Sequence, residues 1–167
     1  MIHGSDKSFA AGAEISEVSA LSGVGALDFS RSAQLFFERL SRSSKPIVAA
    51  IQGYCLGGAL DLALACHYRI ATPEAMLGQP GATLGLITGW GGTQRLPRLI
   101  GQARALEMLL RGESMSAPQA LTLRLVTKSC PPAHFCPAHS RRPGNWPDVT
   151  TRKRNPKCVL DARPGMD

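Results

Sequence analysis

The most chemically suggestive residues of this 167-residue chain lie in a glycine-bearing turn, residues 52–58, between an apolar segment and a helical one. Gly57 and Gly58 place no Cβ between the backbone and a ligand. The first N–H groups of the following helix lack intrahelical partners and lie at the positive end of the helix dipole. A second glycine-bearing loop, residues 9–14, could direct another N–H group to the same point. Two such donors on one oxygen would form an oxyanion hole, whereas the alternative is that the glycines only permit tight packing.

Asp61 is the acid/base candidate, since it lies in a predicted helix whose neighbouring side chains are apolar. An unpaired carboxylate in such surroundings is costly, and buried carboxylates are frequent at functional sites. We therefore expect Asp61 to face the reaction site. The structural alternative is that an acid in the first turn of a helix complements its dipole.

The elements around these residues alternate between strand and helix. Residues 47–51 predict a buried strand, 52–58 a glycine turn, 59–67 a buried helix and 68–71 a second strand. This alternation indicates an α/β fold.

Further helices are predicted from apolar spacing on both sides of this unit. Their ranges are 28–41 (apolar at Ala33, Phe36, Phe37 and Leu40), 92–99, 102–110 and 116–123. Residues 20–25 are expected to form a mobile surface loop, and Ser116 is a plausible N-cap.

Four segments stand in the order and spacing of one known family. They are residues 10–15 (AAGAEI), 45–58 (KPIVAAIQGYCLGG), 78–80 (GQP) and 89–97 (GWGGTQRLP). On these motifs the chain resembles the enoyl-CoA hydratases and isomerases of the crotonase superfamily. The resemblance implies an α/β fold with a repeated ββα spiral core, here partial, followed by an irregular C-terminal tail. We assign residues 1–130 to the crotonase-like core and 131–167 to a Pro/Arg-rich tail, predicted to be poorly ordered.

The resemblance also implies an enzyme that acts on acyl-CoA thioesters and holds the enolate oxygen with two backbone N–H groups. By residue matching, these donors belong to Ala13 and Gly58, and Asp61 occupies the position of one hydratase glutamate. Coenzyme A then enters as part of the substrate, with no bound cofactor and no metal. The substrate-binding residues implied are Ala11, Gly12, Gly57, Gly81 and Trp90. Residues that could contact the phosphates of coenzyme A, or equally lie on solvated faces, are Tyr68, Arg69, Arg95, Arg98 and Arg104.

Two positions depart from the family pattern. The second hydratase glutamate follows Gln-Pro, where this chain has Gly81, and the aspartate of dienoyl-CoA isomerases corresponds to Gly89. A site with one acid suits isomerisation, decarboxylation or atypical hydration better than hydration by two glutamates. The alternatives are therefore a decarboxylase or ring-forming CoA enzyme of the same superfamily, or a non-catalytic fragment that binds CoA esters or RNA.

Both ends differ from the family pattern as well. Relatives have two more strands and a helix before the position of Met1, and the C-terminal helices that mediate their trimerisation are not recognisable after Pro132. We interpret the chain as a truncated or frame-shifted product whose full-length relatives form homotrimers or hexamers. Arg124 replaces a glycine that usually ends a helix in the left-handed conformation.

Composition excludes several classes of protein. The apolar content of 44% is too high for wholesale disorder, and no apolar run reaches about 18 residues, so no membrane helix is expected. The net charge of +7 divides into +3 over residues 1–133 (12 basic, 9 acidic) and +4 over 134–167 (7 basic, 3 acidic). Because the charge is concentrated in the tail, nucleic-acid binding is not favoured.

Cysteine usage fits a reducing cytoplasm. Five cysteines are an odd number, and no signal peptide is visible, so a disulfide framework is not expected. Cys130, His134, Cys136 and His139 are zinc-ligand types, but their spacing lacks the longer loop that usually separates two ligand pairs.

Overall fold

The computed structural model describes residues 1–5 and 7–131, in which eight strands form two four-stranded sheets. The strands are β1 (Ile2–His3), β2 (Ser8–Ala10), β3 (Val48–Ile51), β4 (Tyr54–Leu56), β5 (Tyr68–Ala71), β6 (Met76–Gly78), β7 (Ser114–Ser116) and β8 (Lys128–Ser129). The α-helices are α1 (Ile15–Ser19), α2 (Gly23–Ser41), α3 (Gly58–Ala65), α4 (Gly92–Ile100), α5 (Gln102–Arg111) and α6 (Ala117–Thr122). A 3₁₀ helix, Pro80–Leu84, follows β6.

From β1 to β6, consecutive strands alternate between the two sheets, whereas β6 and β7 both belong to the second. The first sheet has the order β1-β3-β5-β8 and is parallel throughout. The second has the order β2-β4-β6-β7, parallel except for the antiparallel pair β6–β7. Each of the pairs β1β2, β3β4 and β5β6 thus contributes one strand to each sheet and is followed by helix. The predicted α/β fold with a repeated ββα unit is confirmed.

Helix α3 lies in the core between these sheets and the other helices. Six of its eight residues are buried, because its sequence is apolar on nearly every side. Leu60 and Ala63 of α3 and Ile51 of β3 are completely buried. Since Asp61 lies on this helix, the core itself holds the candidate acid.

Most of the predicted elements are present. The structure confirms the strands predicted at 47–51 and 68–71 and the helices predicted at 92–99, 102–110 and 116–123. The helix predicted at 59–67 ends two residues early, at Ala65. Ser116 and Gln119 form a capping box at the start of α6. Arg124 has φ = 61°, which confirms the left-handed helix end expected at that position.

Other predictions were wrong. Residues 52–58 contain strand β4, and β6 and β7 were not predicted. Residues 20–25 are not a loop throughout, because α2 begins at Gly23 with the Ser22 hydroxyl accepting a hydrogen bond from Gly25 N at 3.1 Å. In α2, Ala33, Phe37 and Leu40 of the predicted apolar positions are buried or half-buried, whereas Phe36 is 56% exposed, so Phe36 alone of the four lies outside the buried face.

Arg69 does not lie on a solvated face; it is buried within the protein, and its guanidinium is taken up by backbone carbonyls. Its guanidinium donates to the backbone carbonyls of Leu125 at 2.7 Å, Cys66 at 2.8 Å and Ala63 at 3.3 Å. Arg69 therefore joins the end of α3 to the segment after α6, which the sequence could not indicate because Leu125 is 56 residues away.

None of the described helices is long and apolar enough to cross a membrane. Among residues 1–5 and 7–131 there is no group of three or more side chains that could hold a metal ion. His134, Cys136 and His139, and the predicted tail from residue 132 onward, lie outside the described residues.

Candidate active site

Three adjacent strands of the second sheet end at the same edge and lead into the candidate site. Strands β2, β4 and β6 run parallel, so the residues after Ala10, Leu56 and Gly78 meet at their carboxyl ends. Ligands of parallel sheets commonly bind at such an edge. The loop 11–14, the turn into α3 and the segment 79–81 are brought together in this way.

These segments, with α1, α2 and the loop 85–91, enclose a cavity of about 250 Å³. Its wall is mainly apolar, with contributions from Val18, Phe29, Leu84 and Ile87. The residues assigned from the sequence to catalysis and substrate binding all line it: Ala11, Gly12, Ala13, Gly57, Gly58, Asp61, Gly81 and Trp90. The sequence-predicted site residues are therefore neighbours in space.

The two glycine-bearing loops are in direct backbone contact. Gly12 has φ = 103°, and a Cβ on it would lie 3.0 Å from Leu56 O and 3.3 Å from Gly58 N. Gly57, also at positive φ, donates its N–H to Gly78 O at 2.9 Å and so fixes the turn to β6. Within the described part of the chain, the N–H groups of Ala13 and Gly58 donate to no other residue. Both residues line the cavity.

Trp90 covers the start of α3. A Cβ on Gly58 would lie 2.1 Å from Cζ3 of the indole, which explains the glycine at this position. The ring centroid of Trp90 lies 5.3 Å from that of Phe29 and 5.8 Å from that of Phe37, both on α2. Helix α2 thereby holds the indole against the backbone that would carry an oxyanion donor.

The carboxylate of Asp61 is 1% exposed and held by side chains from two loops. Gln79 Nε2 donates to Oδ1 at 2.7 Å, and the Thr88 hydroxyl donates to Oδ2. Gly92 packs directly against the carboxylate, because a Cβ there would lie 2.2 Å from Oδ1. The acid is therefore fixed in one orientation.

Burial raises the pKa of Asp61 above its ordinary value. Four neighbours lower the pKa of Asp61 without cancelling the effect of burial. They are the hydrogen bonds from Thr88 and Gln79, the backbone amide of Trp90 and the charge of Arg95. A carboxyl group with a raised pKa can both accept and return a proton closer to neutral pH than an ordinary aspartate.

Gly81 leaves no room for a second carboxyl group in this loop conformation. A Cβ on it would lie 2.9 Å from Leu86 O, and Leu86 N donates to Gly81 O at 2.9 Å. The site thus has one acid, as the sequence indicated.

Gln79 and Thr88 are the residues that sequence reasoning missed as partners of Asp61. Gln79 stands in the quoted motif 78–80, and that position was the available signal. No signal pointed to Thr88, since its contact with Asp61 spans 27 residues.

The arginines predicted near coenzyme A phosphates are not gathered at this cavity. Arg104 forms an exposed ion pair with Glu107 at 3.0 Å, and Arg95 donates to Trp90 O at 3.0 Å. Cys55 and Cys66 are buried thiols, and burial raises the pKa of Cys66 to about 11, so neither offers a thiolate nucleophile.

Known proteins match this arrangement along nearly all of the described chain. A family model described as enoyl-CoA hydratase/isomerase matches residues 1–148. The chain belongs to this family. It is 50% identical over 129 residues to a probable enoyl-CoA hydratase of Bacillus subtilis, covering 76% of this chain and 50% of that protein. It is 41% identical over 132 residues to a crotonyl-CoA hydratase of Syntrophomonas wolfei, covering 79% of this chain and 51% of that one.

Solved structures of the family show the same fold. The crystal structure of an enoyl-CoA hydratase from Bacillus anthracis has a TM-score of 0.74 and 38% identity, over 79% of this chain and 51% of that chain. The predicted crotonase-like fold is thus confirmed. The chain spans about half the length of these relatives.

Proposed function

We propose that this chain carries the acyl-CoA thioester site of an enoyl-CoA hydratase/isomerase, in which the N–H groups of Ala13 and Gly58 stabilise an enolate and Asp61 moves a proton. One observation carries the proposal: Ala13, Gly58 and Asp61 line one cavity that is otherwise mainly apolar. An apolar wall suits an acyl chain, and the polar groups fit its reacting end.

The chemistry begins with the thioester carbonyl between the two N–H groups. Each donor is worth about 3–4 kcal/mol of transition-state stabilisation in known oxyanion holes. Asp61 removes a proton from the carbon next to the carbonyl, and the electron pair of that C–H bond passes into the enolate. Return of a proton to a different carbon of an enoyl chain moves the double bond. This is isomerisation with one acid/base and no cofactor; coenzyme A belongs to the substrate.

Hydration is the second candidate. The relatives named as enoyl-CoA and crotonyl-CoA hydratases favour it. The absence of a carboxyl group at Gly81 weighs against it, because water addition needs one group to activate water and another to protonate carbon.

Proton exchange tests the site directly. Butyryl-CoA in D₂O is expected to gain deuterium at the carbon next to the carbonyl in the presence of the chain, and Asp61→Asn is expected to slow this by about 10²–10⁴-fold. Asp28→Asn, at an exposed position on α2, is the matched control and should exchange like the wild type. Unchanged exchange in Asp61→Asn would remove Asp61 from the mechanism. Loss of the enone absorbance of crotonyl-CoA measures hydration separately.

A cytoplasmic location belongs to the same proposal, and so does a trimer or hexamer for the full-length relatives of this chain. The exposed positions Val24, Leu27 and Leu35 of α2 are apolar and support an interface, and the buried thiols Cys55 and Cys66 suit a reducing compartment. Light scattering coupled to size-exclusion chromatography of a full-length relative measures its mass, and a monomer at micromolar concentration would contradict the assembly.

A further inference from the structure

Thr88 lies between the active-site cavity and a second opening on the far side of the loop 85–91. This second opening has a volume of about 580 Å³ and is lined by α2, α4 and residues 88–91. Thr88 and Gly89 line both spaces, and of the two only Thr88 has a side chain. Gln34 Nε2 on α2 donates to Gly89 O at 2.6 Å, which holds the loop 85–91 in place between the two spaces.

Asp61 needs such a neighbour because its carboxylate is almost inaccessible. The groups that face it, besides Thr88, are the Gln79 side-chain amide, the backbone amide of Trp90, the guanidinium of Arg95 and the thiol of Cys55. Amide and guanidinium N–H groups donate hydrogen bonds but do not accept a proton near neutral pH. A hydroxyl both donates and accepts, and Thr88 lines both spaces. The Cys55 thiol is completely buried and lines neither of them, so Thr88 is the group in this set that can pass a proton outward.

We infer that the Thr88 hydroxyl exchanges the proton of Asp61 with water in the second opening. When Asp61 is ionised, Thr88 donates to Oδ2, as in the structure. When Asp61 has taken a proton from the substrate, the carboxyl O–H gives it to Thr88 Oγ, and the hydroxyl proton of Thr88 leaves to a water molecule. One proton enters and one leaves, so Thr88 ends as a neutral hydroxyl and Asp61 as a carboxylate.

This inference rests on the proposed function, since it concerns the proton that Asp61 removes. It makes Thr88 a positioning and relay residue that acts through Asp61. Without the relay, a proton taken from the substrate stays on Asp61 and returns to the enolate it came from. Cleavage of the C–H bond then becomes reversible, and the rate at which label leaves the substrate is limited by exchange of the Asp61 proton with solvent.

The test follows the washout of isotope from butyryl-CoA labelled next to the carbonyl, with deuterium or with tritium, in ordinary water. Thr88→Val keeps the shape of the side chain and removes the hydroxyl, and Thr88→Ser restores it. Thr122→Val is the matched control, because its hydroxyl donates to Pro118 O on α6 at 3.1 Å, away from the cavity.

The relay predicts washout at least about tenfold slower in Thr88→Val, since the loss of a proton-transfer group has effects of that order or larger. It also predicts a deuterium-to-tritium isotope effect close to one in that variant, while Thr88→Ser and Thr122→Val behave like the wild type. Unchanged washout in Thr88→Val would overturn the relay and leave the proposed function standing. Slower washout with a full isotope effect would also overturn it, because Thr88 would then only orient Asp61. No washout by the wild type would overturn the proposed function itself.

Discussion

At the scale of single residues, the buried carboxyl group of Asp61 makes stability depend on pH. Burial raises its pKa in the folded protein above the ordinary value of 3.8, so the folded state binds the proton more tightly than the unfolded state. The free energy of unfolding therefore falls as pH rises from the ordinary pKa through the raised one. At pH values above the raised pKa, the free energy of unfolding has fallen by the full amount that this group contributes.

Asp61→Asn removes this titration and is expected to raise the free energy of unfolding at pH 7 by about 1 kcal/mol, a usual size for one substitution. The gain should shrink as pH falls toward 4, because more of the wild-type carboxyl is then protonated. Urea denaturation at both pH values measures it, with exposed Asp28→Asn as the control. An equal effect at the two pH values would contradict the assignment.

Gly58 and Gly23 offer a matched comparison, because each is the first residue of a helix. A Cβ at 58 meets the Trp90 ring, whereas a Cβ at 23 meets nothing within 4 Å. We expect Gly58→Ala to lower the free energy of unfolding by about 1–3 kcal/mol through overpacking. Gly23→Ala should raise it by about 0.5–1 kcal/mol, since alanine loses less backbone entropy. Urea denaturation of both variants measures these changes, and equal changes in the free energy of unfolding would show that Trp90 does not restrict position 58.

At the scale of elements, Arg69 connects two segments that are far apart in the chain. Arg69→Met would leave the buried carbonyl of Leu125 without its donor and remove two contacts at the end of α3. We expect a loss of about 2–3 kcal/mol in the free energy of unfolding. Arg104→Met removes only an exposed ion pair and should change the free energy of unfolding by less than about 0.5 kcal/mol. Similar losses in the two variants would contradict the buried role.

The end of α6 contains a correctable strain. Arg124 is exposed and adopts φ = 61°, a conformation in which a side chain costs about 1–2 kcal/mol and glycine costs little. Arg124→Gly is therefore expected to raise the free energy of unfolding by about 1 kcal/mol. Arg124→Ala is the control, since it keeps a Cβ and should give no gain. Thermal denaturation compares the three proteins.

The sequence predicted elements whose pattern is local and missed those whose existence depends on partners. Strand β3 and helix α3 were readable from a continuous apolar run, a glycine turn and a second apolar run. Strands β4 and β6 have three residues each, too few to display the alternation that marks a strand. The exposure of Phe36 follows from how α2 packs on its neighbours, which apolar spacing does not determine.

At the scale of the whole molecule, the site is more predictable than the contacts that support it. The motifs around Gly12, Gly58 and Gly81 could be placed at one site by resemblance, and the parallel order β2-β4-β6 explains why they meet. The hydrogen bonds of Gln79 and Thr88 to Asp61 arise only when the segments after β6 fold over α3. Such contacts carry no periodicity, so one chain read by itself does not contain a local signal for them.

The alternation of consecutive strands between the two sheets means that neither sheet belongs to a continuous stretch of chain. A single cut, wherever it falls between β2 and β6, leaves strands of both sheets on each side of the break. The two sheets therefore cannot be separated as independent folding units, although they are separate in hydrogen bonding. Unfolding should be a single cooperative transition, and two fragments made by such a cut should regain structure only together.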